Sequence, residues 1–225
     1  MSKDGPIGYF VHHQGRGHAE RAASIANELA GRRDVTLFCA RSDIFPELDE
    51  RIEVLTIPSL FEPGGDEAPA MASLPMPETV HCAPLGWPSI TTAFATVAQW
   101  FAEAKPALFV TDVSAELGQL ARLCSVPHVA VLQHGERSDA GHIAAYESAV
   151  GLLAPFAECL EQSDRPAKLR QKTHYASGVG IDCSQSLDRN VARERLGLDP
   201  EQEIVLVIAG GGGEGSLRDV DASKI

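Results

Sequence analysis

The 225 residues carry 19 Lys and Arg against 31 Asp and Glu, a net charge of −12, with 44% hydrophobic and 22% charged residues. That balance is globular rather than disordered or fibrous, and its sign argues against nucleic acid as a partner unless a local basic patch exists. The length exceeds one average domain and falls short of two complete doubly wound ones, so one full core plus a fragment is expected. No run of about 18 apolar residues would span a bilayer. The opening Met1-Ser2-Lys3-Asp4-Gly5-Pro6 lacks a secretory pattern, so a cytoplasmic protein is expected. The five cysteines form no C-x-x-C pair and are expected as reduced thiols rather than disulfides or metal ligands.

Short β-rich runs alternate with helix-period segments, which predicts an α/β fold with a mainly parallel, doubly wound sheet. Ile7 to Val11 is the first strand. Ala22, Ile25, Ala26, Leu29 and Ala30 then recur at helical spacing, and Gly31 is placed to stop that helix. Val35 to Cys39 and Ile52 to Ile57 are the next strands. From Pro58 to Pro88 the chain is rich in Pro, Gly, Met and Ser, which predicts a long loop. Its Met71, Leu74, Met76, Leu85 and Trp87 either contact an apolar acceptor or membrane surface, or tuck inward from a mobile loop.

Beyond the loop, Ser89 to Ala104 reads as a helix and Ala107 to Thr111 as a strand ending at Asp112. Glu116 to Cys124 is helical, His128 to Leu132 a buried strand, Ala140 to Ala149 a helix, Val150 to Ala154 a short strand, and Thr173 to Ser177 extended. Gly178 to Asp182 reads as a crossover, which places an N-terminal domain at 1–178 and the start of a second at 179–225. In the second, Asp188 to Leu196 is a short helix. Glu203 to Ala209 is a β-branched strand that runs into Gly210-Gly211-Gly212-Gly213-Glu214-Gly215-Ser216.

The first strand delivers Gln14-Gly15-Arg16-Gly17-His18-Ala19-Glu20-Arg21 to a helix start. Two glycines allow a tight turn and close ligand approach, and the free N–H groups with the positive dipole end attract an anion or an electron-rich oxygen. A dinucleotide fingerprint needs a third glycine, where this chain has Glu20, so NAD is a poor fit. His18 at a helix N-terminus is biased toward the neutral imidazole, which suits a general base; it could equally cap the helix. Asp112 projects from the carboxyl edge of its strand, where open α/β sheets place ligands. It either orients His18 or binds an acceptor hydroxyl, or it caps the next helix together with Ser114. His134, just past another strand, either contacts acceptor hydroxyls or satisfies loop backbone. His134, Asp139 and His142 match no recognised zinc pattern, and no metal is expected.

Gly15-Arg16-Gly17-His18-x-x-Arg21 directly after the first strand resembles the N-terminal motif of glycosyltransferases with two facing Rossmann-like domains, the GT-B fold. The resemblance is nearest to bacterial N-acetylglucosaminyltransferases of the peptidoglycan lipid-intermediate type, which carry a more glycine-rich loop ending Gly-Gly-His. It implies that Gly15, Gly17 and, as a weaker match, Arg21 line an acceptor cleft, with His18 as base helped by Asp112; Arg16 in the same loop and His134 past its strand are cleft candidates beside them. It also implies that Gly210, Gly211, Gly212 and Gly213 face the diphosphate of a nucleotide sugar, with no cofactor beyond that UDP-linked donor.

The implied reaction is hexosyl transfer to a lipid-linked or small-molecule hydroxyl, inverting and metal-independent. Most of a donor domain would then be missing, so the chain alone is expected to be inactive or weak, with a second polypeptide as one source of the other half. A nucleotide-sugar epimerase of the same architecture and a non-catalytic scaffold half remain alternatives. Peripheral contact with the inner face of a membrane and self-association through exposed apolar surface are further expectations.

Overall fold

The computed structural model describes residues 4–133, 135, 137–181 and 187–205. The chain divides into two compact units, Met1–Gly180 and Ile181–Ile225. In the first, the elements in chain order are β1 (Ile7–Val11), α1 (Arg16–Ala30), β2 (Val35–Cys39), β3 (Ile52–Thr56), α2 (Pro69–Ala72), α3 (Pro88–Ala104), β4 (Leu108–Asp112), α4 (Ala115–Leu123), β5 (His128–Val131), α5 (Ala140–Ser148), β6 (Gly151–Ala154), a 3₁₀ turn (Glu158–Leu160), α6 (Ala167–Arg170) and β7 (Thr173–Tyr175). All seven strands are parallel, in the order β3-β2-β1-β4-β5-β6-β7. The doubly wound parallel sheet expected from the alternating pattern is therefore present.

Alternation along β1 feeds two cores. Ile7, Tyr9 and Val11 pack with Ala22, Ala26 and Ala30 of α1 on one face. Phe10 points to the other, joining Phe109, Ile90, Val97 and Phe101 of α3, and Leu117 and Ala121 of α4. Burial on both faces is what makes β1 and β2 continuous apolar runs rather than alternating ones. β3 is only half-buried.

Helix ends follow local chemistry. Pro88 sits in the first turn of α3, where its missing N–H costs nothing, and Lys105 closes that helix in the left-handed region. Ser114 caps α4, its Oγ accepting from the Leu117 N–H at 3.1 Å. Gly31 does end α1, but with φ −64 rather than the left-handed conformation expected of a glycine stop. The last turn tightens instead, with the Arg32 and Arg33 N–H groups both donating to the Leu29 carbonyl.

The 58–88 segment is not uniformly loose. Leu60 is buried and Phe61 and Trp87 pack against the core, α2 forms within it, and Met71, Leu74, Met76 and Leu85 stay exposed. The 3₁₀ turn and α6 were not foreseen in the sequence. Among the described residues, Cys39, Cys82, Cys124 and Cys159 are free, and no helix is long and apolar enough to cross a membrane.

In the second unit, α7 (Arg189–Arg195) forms where a helix was expected, capped by Asp188, whose carboxylate accepts from the Asn190 N–H at 2.8 Å. Glu203 to Val205 form no regular element. The rest of the expected strand to Ala209 and the run Gly210 to Gly213 lie outside the described residues.

Candidate active site

Strand order reverses between β1 and β4, the switch point at which open α/β sheets form a crevice beyond their carboxyl ends. The parallel register sets Val11, the last residue of β1, beside Asp112, the last of β4. The loop that follows β1 and the first turn of α1 therefore meet Asp112.

Gly15 makes the turn, with φ 90 and ψ 117, a conformation closed to residues with a Cβ. Gly17 does not share that role: it lies inside α1, and a Cβ there would meet only open space. The turn thus needs one glycine of the two, and the second leaves the surface beside the helix start clear. Arg16 is solvent-exposed and paired with Glu20 at 2.9 Å. With His13, Gly15, Asp43, Ile44 and Phe45 it lines a cleft of about 300 Å³.

His18 Nδ1 stands 3.0 Å from Asp112 Oδ1. Asp112 is fully buried and is gripped by Arg21: Nη2 donates to Oδ1 at 2.7 Å and to Oδ2 at 2.8 Å, and Nε to Oδ2 at 3.0 Å. Burial works against the Arg21 charge, and the Asp112 carboxylate more than offsets this, raising the guanidinium above its ordinary pKa. Arg21 is committed to Asp112, with 15% of its side chain exposed. Asp112 does not cap α4, a role that Ser114 takes. Its two oxygens serve Arg21 and His18.

An ionised carboxylate only accepts hydrogen bonds. With the proton on Nδ1, His18 donates to Asp112 and presents the lone pair of Nε2. Arg21 Nη2 is also 3.0 Å from Nδ1. Nε2 makes no hydrogen bond among the described residues, and 22% of the side chain is exposed. This arrangement can accept a proton from a bound hydroxyl, and the resulting imidazolium would be stabilised by the buried carboxylate behind it.

Several neighbours escaped the sequence reading. His12 stacks on Phe61, with centroids 4.4 Å apart and planes 8° apart, and on His18 at 5.4 Å. Burial, and then the neighbouring imidazoles of His18 and His13, push His12 down to about 4, so it is neutral near pH 7. Its Nδ1 accepts from the Gln14 N–H at 2.9 Å. Glu62 ties the long segment to this loop, accepting from Gln14 Nε2 at 2.6 Å and lying 3.0 Å from His13 Nε2. The Tyr9 hydroxyl is buried near the Arg21–Asp112 pair without a hydrogen bond of normal geometry. Burial, followed by the Asp112 charge, pushes its pKa well up. His12 and His13 directly follow a strand's carboxyl end, the same positional signal that drew attention to His134. His134 itself lies outside the described residues; of its neighbours, Arg137 donates to the Gln133 side chain at 3.0 Å.

A second cavity, of about 590 Å³, is lined by Ala68, Leu85, Trp87, Ile90 and Thr91 among others, where the long segment meets α3.

No protein-family model matches the chain, and no curated protein matches its sequence. Among solved structures, it is similar to a UDP-glucosyltransferase from Polygonum tinctorium, in complex with 3,4-dichloroaniline, that can glucosylate indoxyl: 13% identity and TM-score 0.54 over 82% of this chain and 54% of that one. It is also similar to Arabidopsis thaliana UGT89C1 bound to quercetin, at 13% identity and TM-score 0.52 over 86% and 55%. Acinetobacter baumannii MurG aligns at 11% identity and TM-score 0.43 over 70% and 42%. The chain spans about half the length of the first two structures. Its Rossmann-like parallel α/β fold is the one seen in the matched part of those GT-B glycosyltransferases.

Proposed function

We propose that this chain is the acceptor-side half of a two-domain nucleotide-sugar glycosyltransferase in which His18 is the general base. The observation that carries the reading is the buried Asp112, held by Arg21 and placed 3.0 Å behind His18 Nδ1 at the sheet's switch point. A bound acceptor hydroxyl gives its proton to Nε2 as its oxygen bonds to the anomeric carbon. The bond from that carbon to the UDP diphosphate breaks, and the diphosphate leaves with the electron pair. Attack opposite the leaving group inverts the centre. Asp112 is a positioning residue, because it has no exposed surface with which to touch substrate.

The apolar part of the acceptor has a place in the cavity beside Leu85, Trp87 and Ile90, whose volume suits a drug-sized ligand. Backbone N–H groups of Gly210 to Gly213 would face the donor's diphosphate without a metal. The chain spans about half the length of the similar enzymes, and turnover is proposed to require a donor-binding half in addition.

The test is transfer of labelled hexose from UDP-hexoses to a panel of phenolic and lipid-alcohol acceptors, with the chain alone and complemented by a donor-binding polypeptide. The complemented protein should turn over, and His18→Ala should lower its kcat by roughly 10²- to 10⁴-fold. Undiminished transfer by His18→Ala would refute the assignment of the base, and strong transfer by the chain alone would refute the need for a second half.

A further inference from the structure

A second cluster lies where the long segment between β3 and α3 meets the start of α5. Glu116, buried in the first turn of α4, accepts through Oε1 from the N–H groups of His81 at 2.8 Å and Cys82 at 2.6 Å. Gln119, one turn on, donates to the carbonyls of Thr79 at 3.0 Å and Gly141 at 3.4 Å, joining the segment to α5. The approach is close enough that a Cβ on Gly141 would fall 2.9 Å from the His81 nitrogen. α4 thus fixes the backbone on both sides, and only a glycine fits at the seam.

This packing brings together side chains that are far apart in sequence. His142 Nδ1 lies 2.6 Å from Asp139 Oδ2, and His81 Nδ1 lies 3.6 Å from Asp139 Oδ1. The two imidazoles meet edge to face with centroids 4.2 Å apart. One donor atom from each of the three residues lies within 4.8 Å of the others.

We propose that His81, Asp139 and His142 form a binding site for a divalent transition-metal ion of the zinc class. Two imidazoles and a carboxylate suit zinc and its neighbours better than magnesium or calcium, which prefer all-oxygen sites. Tetrahedral zinc with bonds of about 2.0–2.2 Å places its ligand atoms about 3.3 Å apart. The separations here bracket that spacing, and the ligands that must adjust, His81 and Asp139, are the exposed ones. The net charge of −12 favours cation uptake. A fourth position is left for water or another ligand. Once bound, the ion would fasten the 58–88 segment to the start of α5.

The test is titration of the metal-stripped 225-residue chain with Zn²⁺ by calorimetry and with Co²⁺ by visible absorption. One saturable equivalent is expected, with Co²⁺ bands typical of tetrahedral coordination. His81→Ala, whose side chain is 48% exposed, should bind at least about tenfold more weakly without loss of helical circular dichroism. Asp139→Asn keeps the α5 cap, since asparagine caps as well as aspartate, and should also bind at least about tenfold more weakly. His174→Ala, on β7, should bind as the parent does. Absence of saturable binding, or binding undiminished in both His81→Ala and Asp139→Asn, would overturn the site.

Discussion

Arg21 Nη2 lies 2.7 Å from Asp112 Oδ1 in a pair where the carboxylate has no exposed surface and the guanidinium little. Removing one member of such a pair leaves an uncompensated charge in the interior, whereas removing both removes the problem. Asp112→Ala should therefore cost about 3–5 kcal/mol in urea unfolding. Arg21→Leu combined with Asp112→Leu should cost clearly less than the sum of its two single changes. Additive losses would mean that the pair is not coupled in the folded protein.

The two glycines of the loop should respond with opposite signs. Gly15→Ala places a Cβ at φ 90 and should destabilise by roughly 1–3 kcal/mol. Gly17→Ala adds a helix-favouring residue where nothing lies within 4 Å, and should stabilise by up to about 1 kcal/mol. Denaturation midpoints of the two variants decide the matter, and equal effects in one direction would contradict the turn geometry.

Val113 holds φ 65, directly after Asp112, in a region that a β-branched residue enters only under strain. The turn sends the chain from the end of β4 to the Ser114 cap. Val113→Gly should relieve that strain, raising stability by about 1 kcal/mol despite the larger entropy of the unfolded chain. A lower melting temperature would show that the packing of the valine outweighs its backbone cost.

His128, at the start of β5, is 1% exposed, and neither ring nitrogen has a hydrogen-bond partner. Burial, and then the positive charges of Lys172 and Arg122, push it down to about 4. The unfolded chain, with its histidine near 6.5, therefore binds the proton first. Stability should be unaffected by this group above about pH 6.5 and should fall as pH drops from there toward 4, by a total on the order of 3 kcal/mol. His128→Leu should flatten that acid limb in urea midpoints measured between pH 7 and 4.5. An unchanged slope would assign the limb to other groups, His12 foremost, since it is shifted the same way.

Local pattern carries the strands of the sheet and most of the helices between them, though not α2, α6 or the 3₁₀ turn. Buried parallel strands are continuous apolar runs, and helices repeat their small residues every three or four positions, so β1, β2 and α1 were legible from local pattern. Gly15 to His18 past β1 and Asp112 at the end of β4 were legible as site candidates for the same reason, since carboxyl strand ends are local features. Which of those residues meet is set by how the strands assemble. His18 and Asp112 are 94 positions apart. They meet because β1 and β4 are adjacent and pair Val11 with Asp112, an order and register that no local window encodes. The same step set Arg21 against Asp112 and gave the α4 cap to Ser114. It also stacked His12 on Phe61 and carried His81 to Asp139. Each of these contacts links segments whose own periodicity is satisfied without it, and packing selects it afterward.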